Sequence, residues 1–153
     1  MQIHIQAVDL PGSTCVGGPG FPGYAGVQVA VQGRGRPEVL LDPQPGDAAA
    51  AGWVLECRAK PVDGGLDLTG PWIQGGPGRR FVYLVWSGVD DEGAFGMFRR
   101  AKLMLDSVDE QVGAAAVRSG VLVARLGLTD VKGHPLCAAV RPPLVEWSAG
   151  GAG

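Results

Sequence analysis

Residues 81–86 read Phe81-Val82-Tyr83-Leu84-Val85-Trp86, an apolar run dominated by β-branched and aromatic side chains. A short run of this kind with no polar face marks a strand covered on both sides. Glycine and proline precede it in Gly75-Gly76-Pro77-Gly78, and Ser87-Gly88 follows, so the run is bounded by turn chemistry. A central strand at this position makes a sheet the organising layer. The remaining segments are read as shorter strands gathered around it.

Upstream, residues 2–8 alternate Gln2, His4 and Gln6 against Ile3, Ile5 and Ala7, the period of a half-buried strand. The pattern resumes at 27–32, with Val27, Val29 and Val31 on one face, and in a short strand at 38–42. Trp53, Leu55 and Cys57 oppose Glu56 and Arg58 over 53–59, and Leu66–Leu68 reads as an edge strand. The segments 11–25 and 43–51 hold too much glycine and proline to continue a ladder and are read as loops.

Downstream, 98–107 fits two periods. Phe98, Ala101 and Leu105 suit a helix, whereas Leu103 and Leu105 alternate with Lys102, Met104 and Asp106 as in a strand. Strand is preferred because Asp109 reads as the N-cap of a separate helix over 110–118, with Gly120 as its end signal. Val121–Thr129 and Leu136–Val140 flank Asp130–Pro135, which predicts a β-hairpin with Gly133 at positive φ. Arg141-Pro142-Pro143 interrupts the ladder before an edge at Leu144–Trp147. The expected fold is therefore α+β and mainly β: an antiparallel β-barrel or two-layer sandwich of seven to nine short strands, with one helix near 110–118. One domain is expected over 1–147, followed by a flexible small-residue tail at 148–153.

At 153 residues the chain suits a single domain that buries about 70% of its unfolded surface. Apolar residues make up 46% and charged residues 18%, which excludes a disordered chain. The formal charge of -2 argues against nucleic acid as a partner, and no apolar window is long enough for a membrane span. The amino terminus lacks the basic start and apolar stretch of a secretory leader. Three cysteines, Cys15, Cys57 and Cys137, are widely spaced and odd in number, which argues against a disulfide framework or a zinc site. A cytoplasmic protein with free thiols is the expectation. Glycine, alanine, proline and arginine account for 66 residues and asparagine is absent, the preference of GC-rich codons and hence of a high-GC bacterium.

Several stretches together resemble a known group. They are Gly70-Pro71-Trp72-Ile73-Gln74-Gly75, Gly78-Arg79-Arg80 leading into Phe81–Leu84, Phe98-Arg99-Arg100-Ala101-Lys102-Leu103, and Gly127-Leu128-Thr129-Asp130 with Gly133, Pro135, Leu136 and Cys137. With Asp9-Leu10-Pro11-Gly12 and Pro142–Trp147, the resemblance spans most of the chain. The chain is similar to an uncharacterised family of actinobacterial proteins of about 150 residues, a domain of unknown function. That resemblance implies an actinobacterial, cytoplasmic, single-domain protein and transfers no catalytic residue.

Chemistry is sparse. His4 and His134 have no ligand partner at metal spacing, so no metal is expected. No nucleophile elbow or cofactor motif occurs, and no cofactor is expected. Cys137, three residues from His134, is read as a small buried cysteine before a nucleophile. Asp90-Asp91-Glu92 is read as a solvated or salt-bridged loop. Gly75–Arg80 could cradle an anion, but it precedes a strand and includes Pro77, so a tight loop is preferred.

The constellation that most invites a ligand is aromatic plus cationic: Trp72, Gln74, Arg79, Arg80, Tyr83 and Trp86, with Arg99 and Arg100 nearby. An apolar pocket with a few directed polar groups is the usual make-up of a small-molecule site. The plainer reading makes the tryptophans core and lets the arginines snorkel. The expected function is non-catalytic binding of a small apolar or aromatic acid, in an accessory or self-protection role linked to specialised metabolism. The alternatives are a cofactor-independent enzyme on an anionic or aromatic substrate and a homodimeric interaction protein without ligand.

Overall fold

The computed structural model describes residues 1–13, 27–32, 39–40, 52–62, 65–76, 78–89, 95–131 and 137–150. Strand β1 (Gln2–Asp9) follows the alternation of its sequence: Ile3, Ile5 and Ala7 are buried, while Gln2, His4 and Gln6 lie on the opposite, half-exposed face. It pairs parallel with β10 (Val121–Leu128), in a register that sets Ile3, Ile5 and Ala7 beside Leu122, Ala124 and Leu126. On its other edge runs β4 (Gly52–Glu56), antiparallel, with Leu55 beside Ile3. β11 (Val145–Ala149) closes the four-stranded order β11-β10-β1-β4.

The second sheet is antiparallel throughout and is built on β8 (Phe81–Val89), the strand that holds the apolar run 81–86. β2 (Val27–Gln32) and the two-residue β7 (Ile73–Gln74) share one edge of β8, and β9 (Phe95–Met104) takes the other. β3 (Val39–Leu40) pairs outside β2. The register aligns Val82 with Leu103 and Leu84 with Ala101, and all four are buried. They form one cluster with the buried residues of β1 and β10, so the two sheets face each other across a common core. The result is a sandwich-like, mainly β α+β fold, and among the described residues the sheets do not close into a barrel. A separate ribbon joins β5 (Arg58–Val62) to β6 (Gly65–Thr69).

The helix forms where capping chemistry placed it. α1 spans Glu110–Ser119; the Asp109 Oδ1 accepts from the backbone N–H of Gln111 at 2.8 Å and of Val112 at 3.3 Å. Gly120 ends it at φ 81°, a left-handed conformation that glycine adopts without Cβ strain. Gly113 and Ala116 are its buried positions, and it packs against β6, β10 and β11. Small residues there let the helix approach the sheet closely.

Several expectations need correction. The all-antiparallel arrangement fails at β1–β10, because pairing between segments so remote in sequence leaves no local signal of direction. The 53–59 strand breaks at Cys57, whose N–H donates to the Met1 carbonyl at 2.9 Å, and its two halves enter different sheets. Region 98–107 is a strand as far as Met104 and then a 3-10 turn over Leu105–Ser107. Thr129 and Ala138 exchange backbone hydrogen bonds of 2.9 and 3.0 Å in an antiparallel bridge, but the described residues 137–140 form no strand beyond it. Gly133 lies outside the described residues. β11 runs past Trp147 to Ala149, and the Gly150 N–H donates to the Val121 carbonyl at 3.0 Å. Among the described cysteines Cys57 is free and Cys137 is disulfide-bonded, which overturns the expectation of three free thiols.

Candidate functional site

Strand parity separates the residues that sequence reasoning had grouped. On β8, Val82, Leu84 and Trp86 point into the core, whereas Phe81, Tyr83 and Val85 occupy the outer face. Trp86 is fully buried and its Nε1–H donates to the Cys137 carbonyl at 2.9 Å. Arg99 sits beside it in register, on the same inner face. Tyr83, Arg100 and Gln74 share the outer face with Phe81, Val85 and Lys102. Trp72 is half-buried and packs against the core.

Arg79 and Arg80 belong to the β7–β8 hairpin. The turn requires glycine at Gly75, whose φ is 85° and where an added Cβ would run into the Arg79 carbonyl oxygen. The Arg79 N–H donates to Gly76 O at 2.9 Å, and its side chain is exposed. The Arg80 N–H donates to Asp106 Oδ2 at 2.7 Å, and its carbonyl accepts from Leu105 N–H at 2.9 Å. Its guanidinium Nη2 lies 2.7 Å from Asp67 Oδ1, a largely buried ion pair that ties the hairpin to β6. These donors serve the hairpin and its neighbours, which fits the tight-loop reading.

The outer face is a strip with a consistent chemistry. Lys102 Nζ stands 4.7 Å from the centre of the Phe81 ring, a cation–π distance. Arg100 Nη1 donates to the Tyr83 hydroxyl at 3.1 Å. Arg100, Lys102 and Met104 are exposed, and Gln74, Phe81 and Tyr83 are half-exposed. Among the described side chains of this face none is acidic, and neither cation is in an ion pair. Phe81 and Lys102 were missed by sequence reasoning. The signal was the odd–even alternation inside 81–86, which the uniformly apolar character of that run conceals until β9 supplies its partner residues.

The other candidates resolve differently. Cys137 is in a disulfide and is not available as a thiolate nucleophile. Burial is the main influence raising the Cys57 thiol pKa above its ordinary value; the nearby amino terminus works against the rise and Glu56 adds to it. His4 Nε2 lies 3.0 Å from Gln2 Oε1, and Gln2 Nε2 donates to Glu56 Oε1 at 2.8 Å, a surface polar chain on β1 and β4. No group of three metal-ligating side chains occurs among the described residues, and none of their helices is long and apolar enough to cross a membrane. His134 and Asp90–Glu92 lie outside the described residues. A groove of about 340 Å³ lies elsewhere, on the outer face of the four-stranded sheet, between Val8, Leu10, Gly127 and Leu144 with Arg125 and Glu146 alongside. None of the predicted site residues lines it.

Residues 1–150 match the Family of unknown function (DUF5990), and the chain belongs to that family. No curated protein and no solved structure matches the chain.

Proposed function

We propose that this member of the DUF5990 family is a non-catalytic binding protein for a small aromatic or apolar acid, taken up on the outer face of the β8–β9 pair. The observation that carries the reading is the strip itself: Phe81 and Tyr83 flanked by Lys102 and Arg100, with no carboxylate among the described side chains of the face. Aromatic rings offer apolar contact area, and the two cations offer charge-assisted donors to a carboxylate. Gln74, opposite Phe81 in the register, adds a polar group at the rim. Trp72, Arg79, Arg80 and Trp86 drop out of this site, and Arg99 faces the other way.

The test is an amide NMR titration with benzoate and an indole carboxylate. Shifts should concentrate at 81–85 and 100–104, and Arg100→Ala or Lys102→Ala should weaken binding about tenfold, the loss of one charge-assisted contact. No binding at millimolar ligand, or shifts confined to other strands, refutes the reading.

A second reading, self-association through a sheet edge, rests on β11. Leu144 and Gly150 hydrogen-bond to β10, so the N–H and C=O groups of Val145, Trp147 and Ala149 point away from it. No strand among the described residues pairs with that edge. Light scattering at two concentrations tests it. As to compartment, the Cys137 disulfide fits an oxidising environment better than the cytoplasm.

A further inference from the structure

Along the inner face of β9 the residues in register with Val82, Leu84 and Trp86 are Leu103, Ala101 and Arg99. The first two are buried apolar side chains, as a core position demands. The third carries a charge. Among the described residues, the buried side-chain nitrogens without a hydrogen-bond partner are Arg99 Nε and Nη2. The ion pairs seen between described residues join Arg80 to Asp67 and Arg125 to Glu146, and neither involves Arg99.

A guanidinium is cationic and donor-only, so N–H groups withdrawn from water without an acceptor call for an anionic partner. The adjacent Trp86 N–H is already given to the Cys137 carbonyl and makes no claim on the same acceptor. Nε–H and the neighbouring Nη2–H lie parallel in the guanidinium plane, the side-on fork that meets two oxygens of one planar anion. We infer that Arg99 is an oxoanion site on the inner face of β9, gripping two oxygens of a carboxylate or phosphate side-on through Nε–H and Nη2–H. It is independent of the outer strip, because Arg99 and Arg100 point to opposite faces of the same strand.

Thermal unfolding of the full chain in chloride, acetate and phosphate, at matched ionic strength, reads this site. An anion bound only by the folded state raises the midpoint as its concentration increases. General stabilisation by excluded salts is measured in the Arg99→Met variant, which keeps side-chain length and removes the fork. The wild-type midpoint should rise with acetate or phosphate beyond that baseline, and the more effective anion identifies the source. Arg99→Met should be at least as stable as wild type in chloride and show no specific response. Arg99→Lys keeps the charge and loses the fork, so it should need at least tenfold more anion for the same rise. The Arg99 Nε–H resonance should also shift on addition of the effective anion. An equal response in wild type and Arg99→Met overturns the site, as does an absent response in wild type or an unmoved Nε–H resonance. If Arg99→Met does not fold, Arg99→Lys and the resonance carry the test.

Discussion

Replacing Trp86 by phenylalanine probes the junction on which both sheets depend. The side chain is fully buried, and its indole N–H is the donor that satisfies the Cys137 carbonyl at 2.9 Å. Phenylalanine keeps most of the ring and removes the donor. A buried carbonyl left without its partner costs about 1–3 kcal/mol. The missing ring atoms withdraw further contact and leave a small void, adding about 1–2 kcal/mol on the scale of one or two buried methylenes. The expected loss is therefore about 3 kcal/mol. At roughly 2–4 °C per kcal/mol for a chain of this size, the midpoint should fall by about 6–12 °C. The control is Trp147→Phe, which removes a comparable hydrogen bond, Nε1–H to Ser107 Oγ at 3.1 Å, at a partly exposed position. Water replaces that bond, so the loss should stay below about 1 kcal/mol. Urea unfolding followed by far-UV circular dichroism measures both, with equal slopes expected. Equal losses for the two variants, or a Trp86→Phe loss below about 1 kcal/mol, would show that the Trp86–Cys137 contact does not anchor the core.

Four further outcomes test other parts of the structure. Gly75→Ala should destabilise by more than about 2 kcal/mol, since it combines positive φ with a clash against the Arg79 carbonyl; Gly78→Ala has positive φ but open space and should cost about 1 kcal/mol. Asp109→Ala should cost about 1 kcal/mol by removing the acceptor for two helix N–H groups, read by urea unfolding. Thiol titration of denatured, non-reduced protein should find one thiol per chain, and that thiol, Cys57, should react slowly in the native state. Because burial raises its folded-state pKa, the Cys57 contribution is fully present below the ordinary thiol range and is lost as pH rises through and above it; Cys57→Ala should remove that part of the alkaline decline.

What could be read along the chain was whatever depends on near neighbours in sequence. The alternation of Ile3, Ile5 and Ala7 appears in β1 as written, because a strand's two faces are set by a period of two whatever it pairs with. Asp109 and Gly120 bracket α1 because capping groups act on backbone within a turn or two of themselves. The glycine-rich approach to β8 became a tight hairpin for the same local reason. Pairing was another matter. Whether β10 lies parallel to β1, and whether Cys57 splits one strand into two sheets, depends on which distant segments meet, and no local period records that. The candidate site shows the difference most plainly. Arg99 and Arg100 are consecutive in sequence, yet strand geometry sets one on the inner face beside Trp86 and the other on the outer face beside Tyr83. Their chemistry was legible from residue type, but which of the two turns inward was decided only by the face of β9 that meets the other sheet.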